Sequence, residues 1–153
     1  MKKALLIVAA ILGLAVVASA QPRALGIRAG YGAELSYQHT LGGQNFIEAD
    51  LGWALGNPGG LDLGLSYDFI IAPLGPLNFY AGPQAFVGLA STTDPEGNAK
   101  QGLWLGAGAQ IGLEYFFDSI PLQLSLDWKP SLLIIPNLGF GWNSIALGIR
   151  YAF

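Results

Sequence analysis

The last ten residues, from Ser144 to Phe153, read SIALGIRYAF. Ile145, Leu147, Ile149, Tyr151 and Phe153 fall on one side of an extended chain, and Ser144, Ala146, Gly148, Arg150 and Ala152 on the other. A period of two is the mark of a strand with unlike faces, because successive side chains leave a pleated backbone on opposite sides. The same alternation sets Leu122, Leu124, Leu126 and Trp128 against Gln123, Ser125, Asp127 and Lys129. It also sets Leu61, Leu63, Leu65, Tyr67 and Phe69 against Asp62, Gly64, Ser66 and Asp68. Further strands are expected near 24–30, 33–41, 46–55, 77–90 and 103–116, which makes eight. From Arg23 onward no stretch keeps an apolar stripe at i, i+3, i+4 and i+7 for three turns, so helices are not expected.

Ahead of the strands, Lys2 and Lys3 precede an apolar run from Ala4 to Val17 that ends in Ala18-Ser19-Ala20. This is the pattern of a secretory signal peptide with a small-residue cleavage site, and the run is short for a helix that must cross roughly 30 Å of hydrocarbon. Two segments follow, a signal peptide over 1–20 and a single domain over 21–153. Cleavage before Gln21 leaves 133 of the 153 residues and takes the net charge from −3 to −5. The chain has no cysteine, so no thiol is available for lipid attachment or a disulfide framework.

Composition decides which face looks inward. The chain is 52% apolar, which excludes disorder, and only 11% charged, against about 25% in ordinary soluble domains. Its basic residues are scattered singly, which excludes nucleic-acid binding through bulk charge. A soluble sandwich or lipocalin would bury the apolar face and charge the other, yet here the second face is largely Gly, Ser, Ala and Gln. With the barrel turned inside out, the Leu, Ile, Tyr and Phe face meets lipid and the small polar face fills a narrow lumen. Gly26, Gly52, Gly64, Gly82, Gly88, Gly106, Gly108, Gly112 and Gly148 fall on that inner face, where small residues make room for larger ones.

Connections near 42–45, 72–76 and 117–121 are short, whereas 91–101 is long and polar and 135–141 intermediate, as turns and loops alternate at the two rims of such a barrel. Trp53, Trp104 and Trp142 lie at the loop ends of their strands, and Phe69, Phe79, Tyr115, Tyr151 and Phe153 at the turn ends, so two aromatic girdles are expected. The fold class is therefore all-β: an eight-stranded antiparallel up-and-down transmembrane β-barrel behind a cleaved signal peptide.

The chain from residue 21 resembles the small outer-membrane β-barrel proteins of Gram-negative bacteria, most closely in ALGIRAGYGAELSYQHTL, LNFYAGPQAFVGL, IGLEYFFDSIPLQLSLDWKPSL and GWNSIALGIRYAF. Its phrases resemble the Bacteroidetes-type versions of these barrels. The resemblance implies residence in the outer membrane after export through the periplasm, with the lipid bilayer as surroundings. It also implies that Ile145, Leu147, Ile149, Tyr151 and Phe153 form the C-terminal signal read by the barrel-assembly machinery, through strand addition at an exposed edge. It supplies a place and an architecture, and no single activity.

Residues able to carry chemistry are few. His39 is the only histidine, and alternation places Glu34, Ser36 and Gln38 on the face opposite to it, so these do not converge as a hydrolytic trio. With one His and no Cys, a metal would need a carboxylate cage; Asp94-Pro95-Glu96-Gly97-Asn98 lacks calcium-loop spacing and reads as a turn. No glycine-rich phosphate cradle opens a helix. No catalytic residue, metal ligand or cofactor is expected.

The inner face, by contrast, collects Glu34, Glu48, Asp50, Asp62, Asp68, Glu114 and Asp127 against Arg28, Lys129 and Arg150. Glu48, Asp68, Glu114 and Arg150 lie toward the turn ends and are expected to share one layer. Arg28 and Arg150 become neighbours once the first strand closes on the last. Such groups plug an eight-stranded barrel by pairing. The expected role is a structural or surface-interaction component of the cell envelope, with an occluded polar lumen and an unidentified extracellular partner at the loops. The alternatives are a narrow, porin-like cation or small-solute channel or binder using the acidic lumen, and a lipid A-modifying hydrolase or acyltransferase.

Overall fold

A computed structural model describes residues 23–30, 32–54, 59–93, 99–142 and 144–153. The expected signal peptide over 1–20 and the loop cluster at 94–98 lie outside the described residues. Alternation becomes ten strands: β1 (Arg23–Ala29), β2 (Gly32–Thr40), β3 (Asn45–Ala54), β4 (Gly59–Leu74), β5 (Leu77–Thr93), β6 (Ala99–Phe116), β7 (Leu122–Trp128), β8 (Ser131–Ile135), β9 (Gly139–Gly141) and β10 (Ile145–Ala152). Each described neighbour pair is antiparallel, and β1 pairs with β10, so the sheet closes into a barrel. Closure gives backbone N–H and C=O groups partners within the wall, which hydrocarbon requires.

Ten strands make eight staves. β7 and β8 lie on β6 in one register, from Phe116 opposite Gln123 to Gly106 opposite Leu133. Between them the Ala109 N–H donates to the Pro130 carbonyl at 3.0 Å, so Lys129 and Pro130 interrupt the edge of the stave without breaking it. β9 and β10 form the last stave: β9 pairs with β8 through Ser131 and Gly141, and the next bond runs from the Lys129 N–H to the Ser144 carbonyl at 3.0 Å. Three steps on this stave therefore face two on its neighbour, and the Trp128 indole N–H spans the offset by donating to the Trp142 carbonyl at 2.8 Å. The segment expected as an intermediate loop over 135–141 is thus the top of a hairpin.

The turn rim is tight. Gly42 and Gly43 carry φ of 91° and 71° between β2 and β3, and Gly75 carries 72° between β4 and β5, a backbone region that side-chain-bearing residues rarely adopt. The connection expected over 72–76 narrows to Gly75-Pro76, because β4 continues to Leu74 past an irregularity between Ile70 and Ala72. β5 and β6 likewise run farther than alternation suggested, to Thr93 and from Ala99, because their pairing continues as a ribbon where the period of two has faded.

The barrel is inside-out relative to a soluble protein. Among the described residues thirteen buried side chains are polar or charged and four are apolar, whereas Ile27, Leu65, Leu89, Leu126, Leu147 and many others stand exposed on the outside. The aromatics divide less simply than the girdle expectation had it. Trp53 and Trp142 are 61% and 59% exposed, but Trp104 shares the inward parity of Gly106, Gly112 and Glu114 and turns into the lumen, edge-on to Phe86 at 5.4 Å. Phe46 and Tyr80 meet inside toward the turn rim, also edge-on, at 5.1 Å.

Glycine makes this filling possible by direct pairing. Tyr80 lies opposite Gly112, Phe86 opposite Gly106 and Trp104 opposite Gly88. A Cβ on those glycines would sit 2.5 Å from the Tyr80 ring, 2.3 Å from Phe86 and 1.8 Å from the Trp104 indole nitrogen. Tyr80 is enclosed and packed on Phe46, so it cannot swing aside. Gly112→Val is expected to destabilise the barrel by about 2 kcal/mol through overpacking, and Tyr80→Ala in the same chain to recover part of that loss. Urea unfolding of the detergent-solubilised protein measures both; a double variant no more stable than Gly112→Val alone would contradict the pairing.

Candidate functional site

The lumen is filled from alternate positions of every stave. From β3, Glu48 and Asp50 project inward; from β1, Arg28; from β10, Arg150; from β7, Ser125 and Asp127, followed by Lys129 at the break before β8. Gln38 of β2 and Gln110 of β6 complete the ring at the level of Glu48. Arg28, Glu48, Asp50, Asp68, Glu114, Asp127 and Arg150, inward by sequence parity, are buried, and the Lys129 side chain is 13% exposed.

Glu48 is the hub. Its Oε2 accepts from Gln38 Nε2 at 2.7 Å and from Arg150 Nη2 at 2.8 Å, and its Oε1 from Gln110 Nε2 at 3.0 Å. Lys129 Nζ and Arg28 Nη1 stand 3.5 Å from the same Oε1. Arg28 spreads over three further carboxylates, donating from Nη1 to Glu34 at 2.6 Å and Asp50 at 3.0 Å, and from Nε to Asp127 at 3.0 Å. Lys129 also pairs with Asp50. Arg150 donates from Nε to Ser36 at 3.0 Å and from Nη1 to Ser125 at 2.8 Å. Charges so far from water are tolerable only when paired and hydrogen-bonded in this way.

The single layer expected of Glu48, Asp68, Glu114 and Arg150 divides. Glu48 and Arg150 form an ion pair, but Asp68 accepts from Ser66 at 2.6 Å, and Glu114 from Asn78 at 3.1 Å and Gln123 at 2.6 Å. Strand tilt and stagger in a closed barrel set residues of like sequence depth at different heights. Gln123 then reaches on to Gln38 at 2.9 Å and so joins the two clusters. The amides and hydroxyls of Ser36, Gln38, Gln110, Gln123 and Ser125 were absent from the expected network. Their inward parity was the available signal, but uncharged side chains do not stand out against the glycines beside them.

Above this plug, a cavity of about 580 Å³ occupies the loop-end half of the lumen. Arg28, Asp50 and Lys129 form its floor, with Asp62, Phe86 and Trp104 on its wall. His39 stands apart from all of this: Glu34, Ser36 and Gln38 alternate inward, while His39 faces outward with its Nδ1 at 3.3 Å from the Tyr37 hydroxyl. Among the described residues no group of His, Cys, Asp and Glu has metal-site geometry.

No family model matches the chain, and no curated protein is similar to it in sequence. Solved structures carry the likeness. The N-terminal β-barrel domain of Pseudomonas aeruginosa OprF superposes with a TM-score of 0.63 at 13% identity, covering 87% of this chain and 96% of that one. Neisserial surface protein A (NspA) superposes with a TM-score of 0.60 at 14% identity, covering 87% of this chain and 94% of that one. The chain therefore shares the architecture of small eight-stranded outer-membrane barrels over nearly their whole length.

Proposed function

We propose that this protein is a non-conducting, non-enzymatic barrel of the outer membrane of a Gram-negative bacterium, of the Bacteroidetes-type sort, exported through the periplasm. In this reading it serves the envelope as a structural component that presents its loops at the cell surface. The observation that carries the reading is the plug: Glu48, Arg150, Gln110 and Gln123 are each at most 1% exposed and bonded to one another or to shared neighbours across the whole lumen. Phe46 and Tyr80 pack edge-on toward the turn rim. An ion crossing this section would have to separate a buried, multiply bonded carboxylate from its arginine, which costs several kcal/mol.

The exterior supports the membrane half of the reading, since an uncovered apolar surface on a closed barrel is what a bilayer solvates and water does not. Ile145, Leu147, Ile149, Tyr151 and Phe153, from 44% to 66% exposed, offer an apolar face on the closing strand to the barrel-assembly machinery.

In a planar bilayer the purified protein is expected to be electrically silent, while showing the heat-shifted gel mobility of a closed barrel; resolved unitary steps would replace the plug with a pore. Arg150→Leu removes the partner of a buried carboxylate and is expected to lower stability to urea by about 3 kcal/mol without opening a conductance. In vesicles of brominated lipid, a variant retaining Trp53 as its only tryptophan is expected to lose most of its fluorescence. One retaining Trp104 alone is expected to keep most of its own, and equal quenching would contradict the inward placement.

A further inference from the structure

The loop-end cavity is richer in negative charge than the plug beneath it requires. Glu34, Asp50 and Asp62 line it against Arg28 and Lys129. Arg28 is engaged by Glu34, Asp50 and Asp127, and Lys129 by Glu48 and Asp50. Among the described residues no cation lies within ion-pair distance of Asp62. Asp50, 3% exposed, has one carboxylate oxygen, Oδ1, with no hydrogen-bond partner in the barrel.

Asp62 stands in a particular row. It lies opposite Gly88 of β5, which lies opposite Trp104 of β6. The Trp104 indole is laid over Gly88, its nitrogen where a side chain would begin, so it extends from β6 toward the strand that carries Asp62. Phe86 packs edge-on against it and forms the adjoining wall. The Asp62 carboxylate itself leans the other way, over Gly52 of β3, so it and the indole flank the β4–β5 seam from opposite sides. A carboxylate, an indole and a phenyl ring lining one cavity are the combination that recognises organic cations, aromatic rings attracting positive charge and the carboxylate neutralising it. An anion would meet three carboxylates here, and a neutral apolar solute would leave Asp62 uncompensated. The volume suits a compact ligand.

We propose that the loop-end half of the lumen is a binding site for a small organic cation of the alkylammonium class, formed by Asp62, Trp104 and Phe86 and floored by Asp50. The site rests on the closed plug of the preceding reading, since an open pore would let the same ions through. Conductance reads the plug and ligand titration reads the corner, so either can fail separately.

The test titrates choline into the ¹⁵N-labelled protein in zwitterion-free detergent micelles at low salt, following the Trp104 indole N–H resonance, assigned by its loss in Trp104→Phe. The neutral isostere 3,3-dimethylbutan-1-ol serves as control. A saturable shift with choline, little shift with the isostere, and at least about fivefold weaker binding to Asp62→Asn are expected. Asp62→Asn is a surface-of-cavity change and should keep the heat-shifted mobility of the folded barrel. Equal shifts from choline and the isostere, undiminished binding to Asp62→Asn, or no shift up to roughly 50 mM choline would each overturn the proposal.

Discussion

Glu48 receives hydrogen bonds or ion pairs from β1, β2, β6 and β10 and from Lys129 beside β7, while being itself carried by β3. Several of those staves, such as β3 with β6, β7 or β10, are not neighbours through the backbone. The wall hydrogen bonds fix each strand to the next but say nothing about what crosses the middle. The carboxylate does that, holding opposite sides of the cylinder at one separation. A lumen this narrow admits no continuous apolar core, because the outside has already taken the apolar residues, so cohesion across the barrel must be electrostatic.

That choice imposes its own discipline. Every arginine nitrogen facing Glu48, Asp50 and Asp127 must be placed to within hydrogen-bond tolerance, since an unpaired charge at this depth is more damaging than an apolar substitute would be. The glycines opposite Tyr80, Phe86 and Trp104 serve the same end by a different route. They let the ends of three large rings reach over neighbouring strands and fill space that the polar groups leave. Charge is paired at mid-height and aromatic rings pack edge-on toward the rims, with Phe86 and Trp104 on the wall of the loop-end cavity.

Much of this was legible in the chain. A period of two in SIALGIRYAF and its counterparts specifies strands, and the scarcity of charge on either face specifies which side meets lipid. Parity alone was enough to send Arg28, Glu48, Asp127 and Arg150 to the same compartment. It was also enough to send Trp104 there, but its chemical type suggested a girdle, and the structure follows parity. The pairings themselves were not legible. Whether Asp68 meets Arg150 or Ser66 depends on the stagger between strands far apart in sequence, a property of the closed cylinder that no local pattern encodes. The break at Lys129-Pro130 was equally hidden, since a short interruption in a two-residue period resembles a loop.

The position of the two arginines has a bearing on how such a cylinder comes into being. Arg28 and Arg150 are carried by β1 and β10, the first and last strands, which meet only at the final seam. Without that seam the carboxylates of β2, β3 and β7 would lack both arginines, with Lys129 as the remaining cation among those described. Zipping one residue out of step would turn Arg150 outward into lipid, and two residues out would carry it a full repeat past Glu48. The register of the closing seam and the pairing of the charges inside the barrel are therefore one constraint, satisfied or lost together.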